Sequence, residues 1–517
     1  MKRRARTTFA AIHLGSENLS MQVSEYYGLN RIKVIDYCQR PLRLGEETFK
    51  NNIINITLIN EICEILTGFR RLMDEYGVTE YKFQATTAVR EAENQVFLLD
   101  QIYSRTGLVV EVVDLPQEMY TKYVSIRNTL KQEKITSEDG AMLMMNISSG
   151  GLGITLVDNN KIRYQQNMHV GVIRIKESFD RNKRESMHFN TALTEFLATT
   201  LGPVREELAG ERARYLVLSG TETELLLSMM QVEVRGKVHH IRAEAFKELF
   251  QQMRKLNLPQ IMSRYRLSEV SAELVLPTIL IYERLLDVIP VEEIIIADDT
   301  FIDGMQLLHI GSKEDKVQKL EWEKELVSLF HMIGKRYRYD KAHAGQVEKI
   351  SLQIFDKVAS RYSMGERERL FLQGAAILHD IGKFINLRSH STYTYQLIMD
   401  TDIIGFSEND KHIMALAAYY HANDLFGQSK RLAPTIGNNE LALVAKLAAI
   451  IRLADAMDRS YCQKLRSCVI SLSEQNLIFS VQSKVDISLE AWSFENKAQF
   501  FEDIYGLKPV LQLVERL

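Results

Sequence analysis

From Phe9 to about Asp299, short β-type apolar runs alternate with longer stretches in which apolar residues recur every three or four positions. A period of two places successive side chains on opposite faces of a strand, whereas a period near 3.6 gives a helix one apolar face. The pattern predicts strands at Phe9–Ile12, Ser20–Val23, Lys82–Gln84 and Leu108–Val113, with a helix over Leu58–Tyr76. A second series predicts strands at Ala141–Ile147, Gly153–Val157, Lys161–Gln166, Arg214–Ser219 and Glu293–Ala297 and helices at Ala243–Lys255 and Ser271–Leu286. This alternation predicts an α/β fold. Residues 291–433 contain no proline and are rich in Leu, Ala, Glu, Lys and Gln, as a helical domain requires. Beyond Ser460 the texture changes again. Cys468–Leu472 and Leu477–Val481 flank a four-residue loop and predict a hairpin, and Glu495–Tyr505 predicts a helix.

The two α/β series begin alike. Ala10-Ala11-Ile12-His13-Leu14-Gly15-Ser16 and Met144-Met145-Asn146-Ile147-Ser148-Ser149-Gly150-Gly151 both lead from a β-type run through a small-residue turn into a second one, with His13 and Asn146 offset by 133 residues. A duplicated domain with two facing hairpin turns is expected. Glycine and serine turns leave backbone N–H groups open to a phosphate, because no bulky Cβ stands in the way.

The 517 residues are enough for three or four domains, and 46% apolar content rules out a disordered or collagen-like chain. A net charge of −3, with basic residues scattered along the chain, supplies no global field for nucleic acid or a membrane surface, so any polyanion site must be local. Cys38, Cys63, Cys462 and Cys468 lack metal-type spacing and read as reduced thiols, which points to a cytoplasmic protein. The basic start at Lys2–Arg6 precedes an apolar run too short for a signal peptide. The longest apolar stretch, Leu441–Met457, is interrupted by Lys446, Arg452 and Asp455, so no bilayer span is expected.

The first turn, the run Ala85-Thr86-Thr87-Ala88-Val89-Arg90-Glu91-Ala92-Glu93-Asn94, the segment Val110–Val113 leading to Glu118, and the turn Ser148-Ser149-Gly150-Gly151 resemble the exopolyphosphatase / guanosine pentaphosphate phosphohydrolase (Ppx/GppA) family. The resemblance implies two actin/hexokinase-like (ribonuclease H-like) α/β domains around a cleft, here 1–132 and 133–308. A helical domain of the HD phosphohydrolase type (309–460) and a small α+β cap (461–517) would follow. It also implies release of terminal phosphate from polyphosphate or from pppGpp with a divalent cation, normally Mg²⁺, and a homodimer. By position Glu118 matches the family's catalytic glutamate and Arg90 its phosphate-binding arginine, while Gly15, Ser16, Ser148, Ser149, Gly150 and Gly151 occupy its phosphate turns. Three expected acids are replaced, by His13, Asn146 and Gly153, and the third turn reads Leu218-Ser219-Gly220-Thr221-Glu222-Thr223. Neutral Asn and His lack the anionic oxygen that magnesium prefers. Either the cleft is degenerate, or acids such as Glu17 and Glu222 have taken over.

Six of the twelve histidines lie between 331 and 421, each candidate beside a strongly apolar helical run. Imidazole and carboxylate at the buried edges of helices need partners, and nitrogen plus oxygen ligands from separate helices suit a divalent metal. The order His343, His379-Asp380 before Ile381-Gly382-Lys383, and Asp455 resembles the HD superfamily of metal-dependent phosphohydrolases, whose ligand pattern H…HD…D is complete here. That resemblance implies Mn²⁺, Fe²⁺ or Mg²⁺ at these four residues, with Lys383, Arg388, His390 and His421 as accessory ligands or phosphate contacts, and favours one metal over two. Three functions follow as expectations: phosphohydrolysis in the cleft with Glu118 as base, hydrolysis at the HD residues with the cleft sensing a ligand, or a non-catalytic binder of polyphosphate or a guanosine tetra- or pentaphosphate.

Overall fold

The computed structural model describes residues 7–29, 31–148, 150–178, 189–220, 223–232, 236–253, 255–256, 258–286, 289–298, 300–422 and 436–514. The chain forms two compact units, Met1–Trp322 and Glu323–Leu517.

In the first unit, β1 (Thr7–Leu14), β2 (Asn18–Tyr26) and β3 (Ile32–Pro41) form an antiparallel meander, and β4 (Glu80–Ala85) and β5 (Glu111–Val112) continue the sheet in parallel, in the order β3-β2-β1-β4-β5. The second sheet has β6 (Met142–Ile147), β7 (Leu152–Asp158), β8 (Lys161–Met168), β9 (Ala213–Gly220), β10 (Val238–Arg242) and β11 (Val291–Ala297), in the order β10-β11-β9-β6-β7-β8. Its strands β8-β7-β6-β9-β11 reproduce the first sheet, meander and parallel neighbours alike. The internal repeat seen in sequence is thus a repeat of topology. His13 and Asn146 are each the last residue but one of their central strand, paired with Ser20 and Gln84 in one sheet and with Gly153 and Ser219 in the other. Ligands of open α/β sheets gather at this carboxyl edge.

The helix Ile56–Glu75 starts at Asn55, whose side chain caps Leu58 N–H, and buries Leu58, Ile59, Ile62, Leu66, Phe69 and Met73 at helical spacing. The helix Leu115–Gln132 begins with Pro116 in its first turn and carries Glu118 on a buried face. The helix Phe301–Glu314 lies against it through Gly304, where a Cβ would stand 2.1 Å from the Thr121 carbonyl oxygen.

In the second unit, five helices, Lys341–Val358, Glu366–Leu378, His390–Asp400, Glu408–Tyr420 and Asn438–Ala456, surround a shared apolar core. The last of these is buried on every side from Leu447 to Ala456, which explains the long apolar run without a membrane. Among the described residues no helix is long and apolar enough to cross one. A sheet of β12 (Ser467–Leu472), β13 (Asn476–Gln482) and β14 (Lys508–Leu513), with the helix Ser488–Tyr505, completes the unit.

The helices Leu44–Asn51, Gln95–Thr106 and Phe189–Glu207 had not been expected, and the strand differences from expectation are at sheet edges. The strand expected over Leu108–Val113 pairs only at Glu111 and Val112, beyond the left-handed Gly107 that ends the preceding helix. β3, β10 and β14 had no sequence signal, because edge strands with polar or charged residues lack the apolar run of a buried strand.

Candidate functional site

The residues expected to line a cleft come first in the chain. Glu118 is 2% exposed and fully engaged: Thr87 donates to Oε2 at 3.0 Å, Arg90 approaches the same oxygen at 3.4 Å, and Lys122 Nζ stands 3.4 Å from Oε1. Burial raises its pKa, but Lys122, then Arg90 and the Thr87 hydrogen bond, bring it below the ordinary carboxylate value. Arg90 is pinned in turn, donating to Val113 O at 2.5 Å and to Thr87 Oγ1 at 2.9 Å.

The replaced acids are distributed around this pair. His13 packs against the Phe301 ring and faces Thr86 Oγ1 at 3.2 Å, and desolvation lowers its pKa to about 4, leaving it neutral at pH 7. Asn146 donates to Ser219 Oγ at 2.5 Å while its Oδ1 has no hydrogen-bond partner among the described residues. A Cβ at Gly153 would lie 2.7 Å from the Met119 sulfur, so a thioether fills the place where the resemblance puts a carboxylate. These donors do not fit a magnesium ion.

The turns are also occupied. Gly151 N–H is bonded to Ser148 Oγ at 3.1 Å, and a Cβ on Gly150 would meet Thr87 Cγ2 at 2.4 Å. Arg174 reaches the Gly150 carbonyl at 3.1 Å and Glu91 Oε2 at 2.6 Å, tying the second turn to the Arg90 segment. Gly15 N–H is bonded to Asn18 O, and the buried Ser16 offers its carbonyl to Gly45 N–H. Glu17 lies in the turn between β1 and β2. Ser149 and Glu222 fall outside the described residues.

The second unit contains a different cluster. His343 Nε2 lies 3.2 Å from His379 Nε2, 3.3 Å from Asp455 Oδ1 and 3.8 Å from Asp380 Oδ2. His390 and His421 Nε2 lie 3.6 and 3.8 Å from Asp380 Oδ1 and 3.4 Å from each other. Two triads able to hold a cation therefore share Asp380: His343, His379 and Asp380 on one side, Asp380, His390 and His421 on the other. One cation was the sequence expectation, and the geometry offers two positions. Among the described residues no other group of three such ligands occurs.

The helices explain the convergence. His379 and His421 sit where two helices end, each turning Nδ1 to a carbonyl of its last turn, Ala376 O and Ala418 O, which leaves Nε2 for the centre. Gly382 lets His390's segment close in, since a Cβ there would stand 2.0 Å from His390 O. Lys383 Nζ and the Tyr461 hydroxyl both contact Asp380 Oδ2, at 2.5 and 2.6 Å. Arg388 is exposed in the turn before His390.

Burial raises the Asp380 pKa, but His379, His421 and Lys383 hold it far below the carboxylate range. Asp455 is held low likewise, mainly by its hydrogen bond from His343. Burial lowers His421 to about 4 and keeps its imidazole in the neutral, ligating form. Nitrogen and oxygen donors in this set suit a first-row divalent cation or magnesium.

Residues 23–311 match the Ppx/GppA phosphatase family, and residues 329–497 match domain III of that family. The chain belongs to the Ppx/GppA phosphatase family. It is a hydrolase of the class that acts on phosphoanhydride bonds. The guanosine-5'-triphosphate,3'-diphosphate pyrophosphatase of Vibrio campbellii is 20% identical over 92% of this chain and 92% of its own, and that of Pseudoalteromonas translucida is 21% identical over 87% and 86%. The Ppx/GppA protein of Aquifex aeolicus superposes with a TM-score of 0.51 at 20% identity, covering 60% of this chain and 99% of that one. An exopolyphosphatase from Cytophaga hutchinsonii gives 0.51 at 16%, covering 59% and 98%. These likenesses show the actin-like α/β fold.

Against that family background, three further residues complete the two sites. Lys122, four residues after Glu118, lies on the same helix face, a spacing the sequence offered. Asp458, three residues after Asp455, accepts from His343 Nδ1 at 2.9 Å and fixes which imidazole nitrogen faces the centre. Tyr461 had no spacing signal. Asp458→Asn is expected to weaken divalent-cation binding by about 10- to 100-fold while the fold persists, as measured by Mn²⁺ titration of the purified chain.

His343 also sets a pH dependence. Burial alone would lower its pKa, yet hydrogen bonds to Asp455 and Asp458 raise it to about 9. In metal-stripped protein this shift contributes stability that is complete below pH 6.5 and disappears as pH rises through about 9. A bound cation must displace that proton, so Mn²⁺ affinity is expected to rise from pH 7 to 9 by up to about tenfold per unit. A flat titration over that range would remove His343 from the ligand set.

Proposed function

We propose that this Ppx/GppA protein is a metal-dependent phosphohydrolase whose working centre is the His/Asp cluster of the second unit, while the cleft of the first unit binds a phosphate-rich ligand. The observation that carries this reading is the convergence of five side chains in two triads sharing Asp380, with Asp455 beside the first, from five helices and their C-terminal ends. In the cleft, by contrast, Glu118 is matched by two cations and no acid accompanies it from His13, Asn146 or Gly153. His343, His379, Asp380 and Asp455 would hold one divalent ion, and His390 and His421 with Asp380 a second. Such an ion supplies Lewis acidity toward a phosphoryl oxygen and an acidified water. The chain's own residues orient the ligands through Asp458, Ala376 O and Ala418 O, and Lys383 offers a cation to the phosphate. Relatives named for pppGpp and for polyphosphate support those phosphoanhydrides as the substrate class.

A second reading keeps hydrolysis in the cleft. It is favoured by an ionised Glu118 beside Arg90, the pair in which the family resemblance places the base and the phosphate contact. Phosphate release from polyphosphate and pppGpp decides between them. Loss in Asp380→Ala with activity retained in Glu118→Gln supports the second unit, and the converse supports the cleft.

A further inference from the structure

We propose that Tyr461, together with the Lys383 ammonium, forms a subsite for a non-bridging phosphoryl oxygen beside Asp380; this rests on the second unit being the working centre. Tyr461 and Gln463 have left-handed backbones, with φ of 57° and 44°, which residues bearing a Cβ adopt rarely and only where their surroundings impose it. What imposes it is visible. Tyr461 N–H donates to Asp458 O at 2.9 Å, and the Asp458 carboxylate accepts from Gln463 N–H at 2.7 Å and from Gln463 Nε2 at 3.0 Å. Ser460 N–H and Lys464 Nζ both bond Glu490, at 3.2 and 3.1 Å.

The effect of this bracing is to aim one side chain. The Tyr461 ring stacks on His343 with centroids 3.7 Å apart, and its hydroxyl donates to Asp380 Oδ2 at 2.6 Å. Lys383 Nζ shares that oxygen, contacts the Tyr461 hydroxyl and stands 4.4 Å from the centre of its ring. The Lys383 side chain is 31% exposed against 10% for Asp380, so the donors lie on the more open side of the acid. The other edge of Asp380, Oδ1, faces His390 and His421.

An ammonium and a phenol converge on Asp380 Oδ2, and with that oxygen engaged by a cation the single O–H and one N–H would be released to the strongly accepting, anionic oxygens of a phosphoryl group. The stack on His343 is independent of the hydroxyl, whose partner is Asp380 Oδ2. The test therefore separates ring from hydroxyl. In the full-length, Mn²⁺-loaded chain, Tyr461→Phe is expected to retain the wild-type metal content and melting temperature. It should bind orthophosphate about tenfold more weakly by calorimetry, with a matching fall in kcat/KM. Tyr461→Leu should lose phosphate affinity at least as far. Wild-type phosphate affinity in Tyr461→Phe, a loss confined to Tyr461→Leu, or depletion of metal in Tyr461→Phe would overturn the subsite. Failure of the functional reading shows separately, as unchanged metal content and turnover in Asp380→Ala. The orthophosphate titration needs no turnover and decides the Tyr461 assignment either way.

Discussion

Asp380→Ala is expected to abolish stoichiometric binding of Mn²⁺ and to lower phosphate release by about 1,000-fold, equivalent to several kcal/mol of transition-state stabilisation. No other side chain in the second unit belongs to both triads, so removing it takes one anionic oxygen from each cation position at once. The four imidazoles and Asp455 would remain, leaving one position with a single carboxylate and the other with none, too little negative charge for a hard cation. The same substitution leaves Lys383 Nζ and the Tyr461 hydroxyl without their shared acceptor, so a folding defect must be separated from a chemical one. Asp380→Asn serves that purpose, because the amide keeps the shape and still accepts a hydrogen bond. Elemental analysis and thermal unfolding of both variants, beside the phosphate assay, give the result. Full metal content in Asp380→Ala would sink the assignment.

Glu118→Ala is expected to destabilise the first unit by about 3–5 kcal/mol, the usual cost of removing one partner from a buried ion pair. The carboxylate separates Arg90 and Lys122, whose side chains are 16% and 13% exposed, and without it two poorly hydrated cations face one another. Glu118→Gln should cost less, since Thr87 retains an acceptor of the same shape. The sign of the pH dependence follows from the lowered pKa. The contribution of Glu118 is present above its unfolded value near 4.5 and is lost as pH falls through the lower folded value, so wild type should lose stability on acidification more steeply than Glu118→Gln. Thermal unfolding from pH 7 to 3 measures this. A melting temperature for Glu118→Ala equal to wild type at pH 7 would show that the ion cluster contributes nothing to the fold.

The two sites differed in how much of them could be read before folding. His379-Asp380 are adjacent, and the apolar helical runs beside His343, His421 and Asp455 called for partners there, but the ligand set itself came from the resemblance to the HD superfamily. Arg90 and Glu118 carried a family signal, yet a lone glutamate on a helix reads equally well as solvated, and only burial at 2% settles that it is not. Gly153 was legible as a missing acid. That Met119 fills the space was not, because residue 119 and residue 153 meet only when the helix Leu115–Gln132 lies over the second sheet.

By itself the sequence determined the α/β repeat, the proline-free helical region and the residue types of the His/Asp cluster, while the three replaced acids became legible only through the family resemblance. These are local properties: periodicity, the position of prolines, and the chemistry of a side chain do not depend on what lies across the molecule. The tertiary structure alone decided that Asp380 is shared between two triads, that Asp458 orients His343, that Tyr461 reaches Asp380, and that Glu118 is matched by Lys122 as well as Arg90. Each of these depends on distances of a few ångströms between atoms brought together from separate elements, and hydrogen bonds and ion pairs fall away within about one ångström of misplacement.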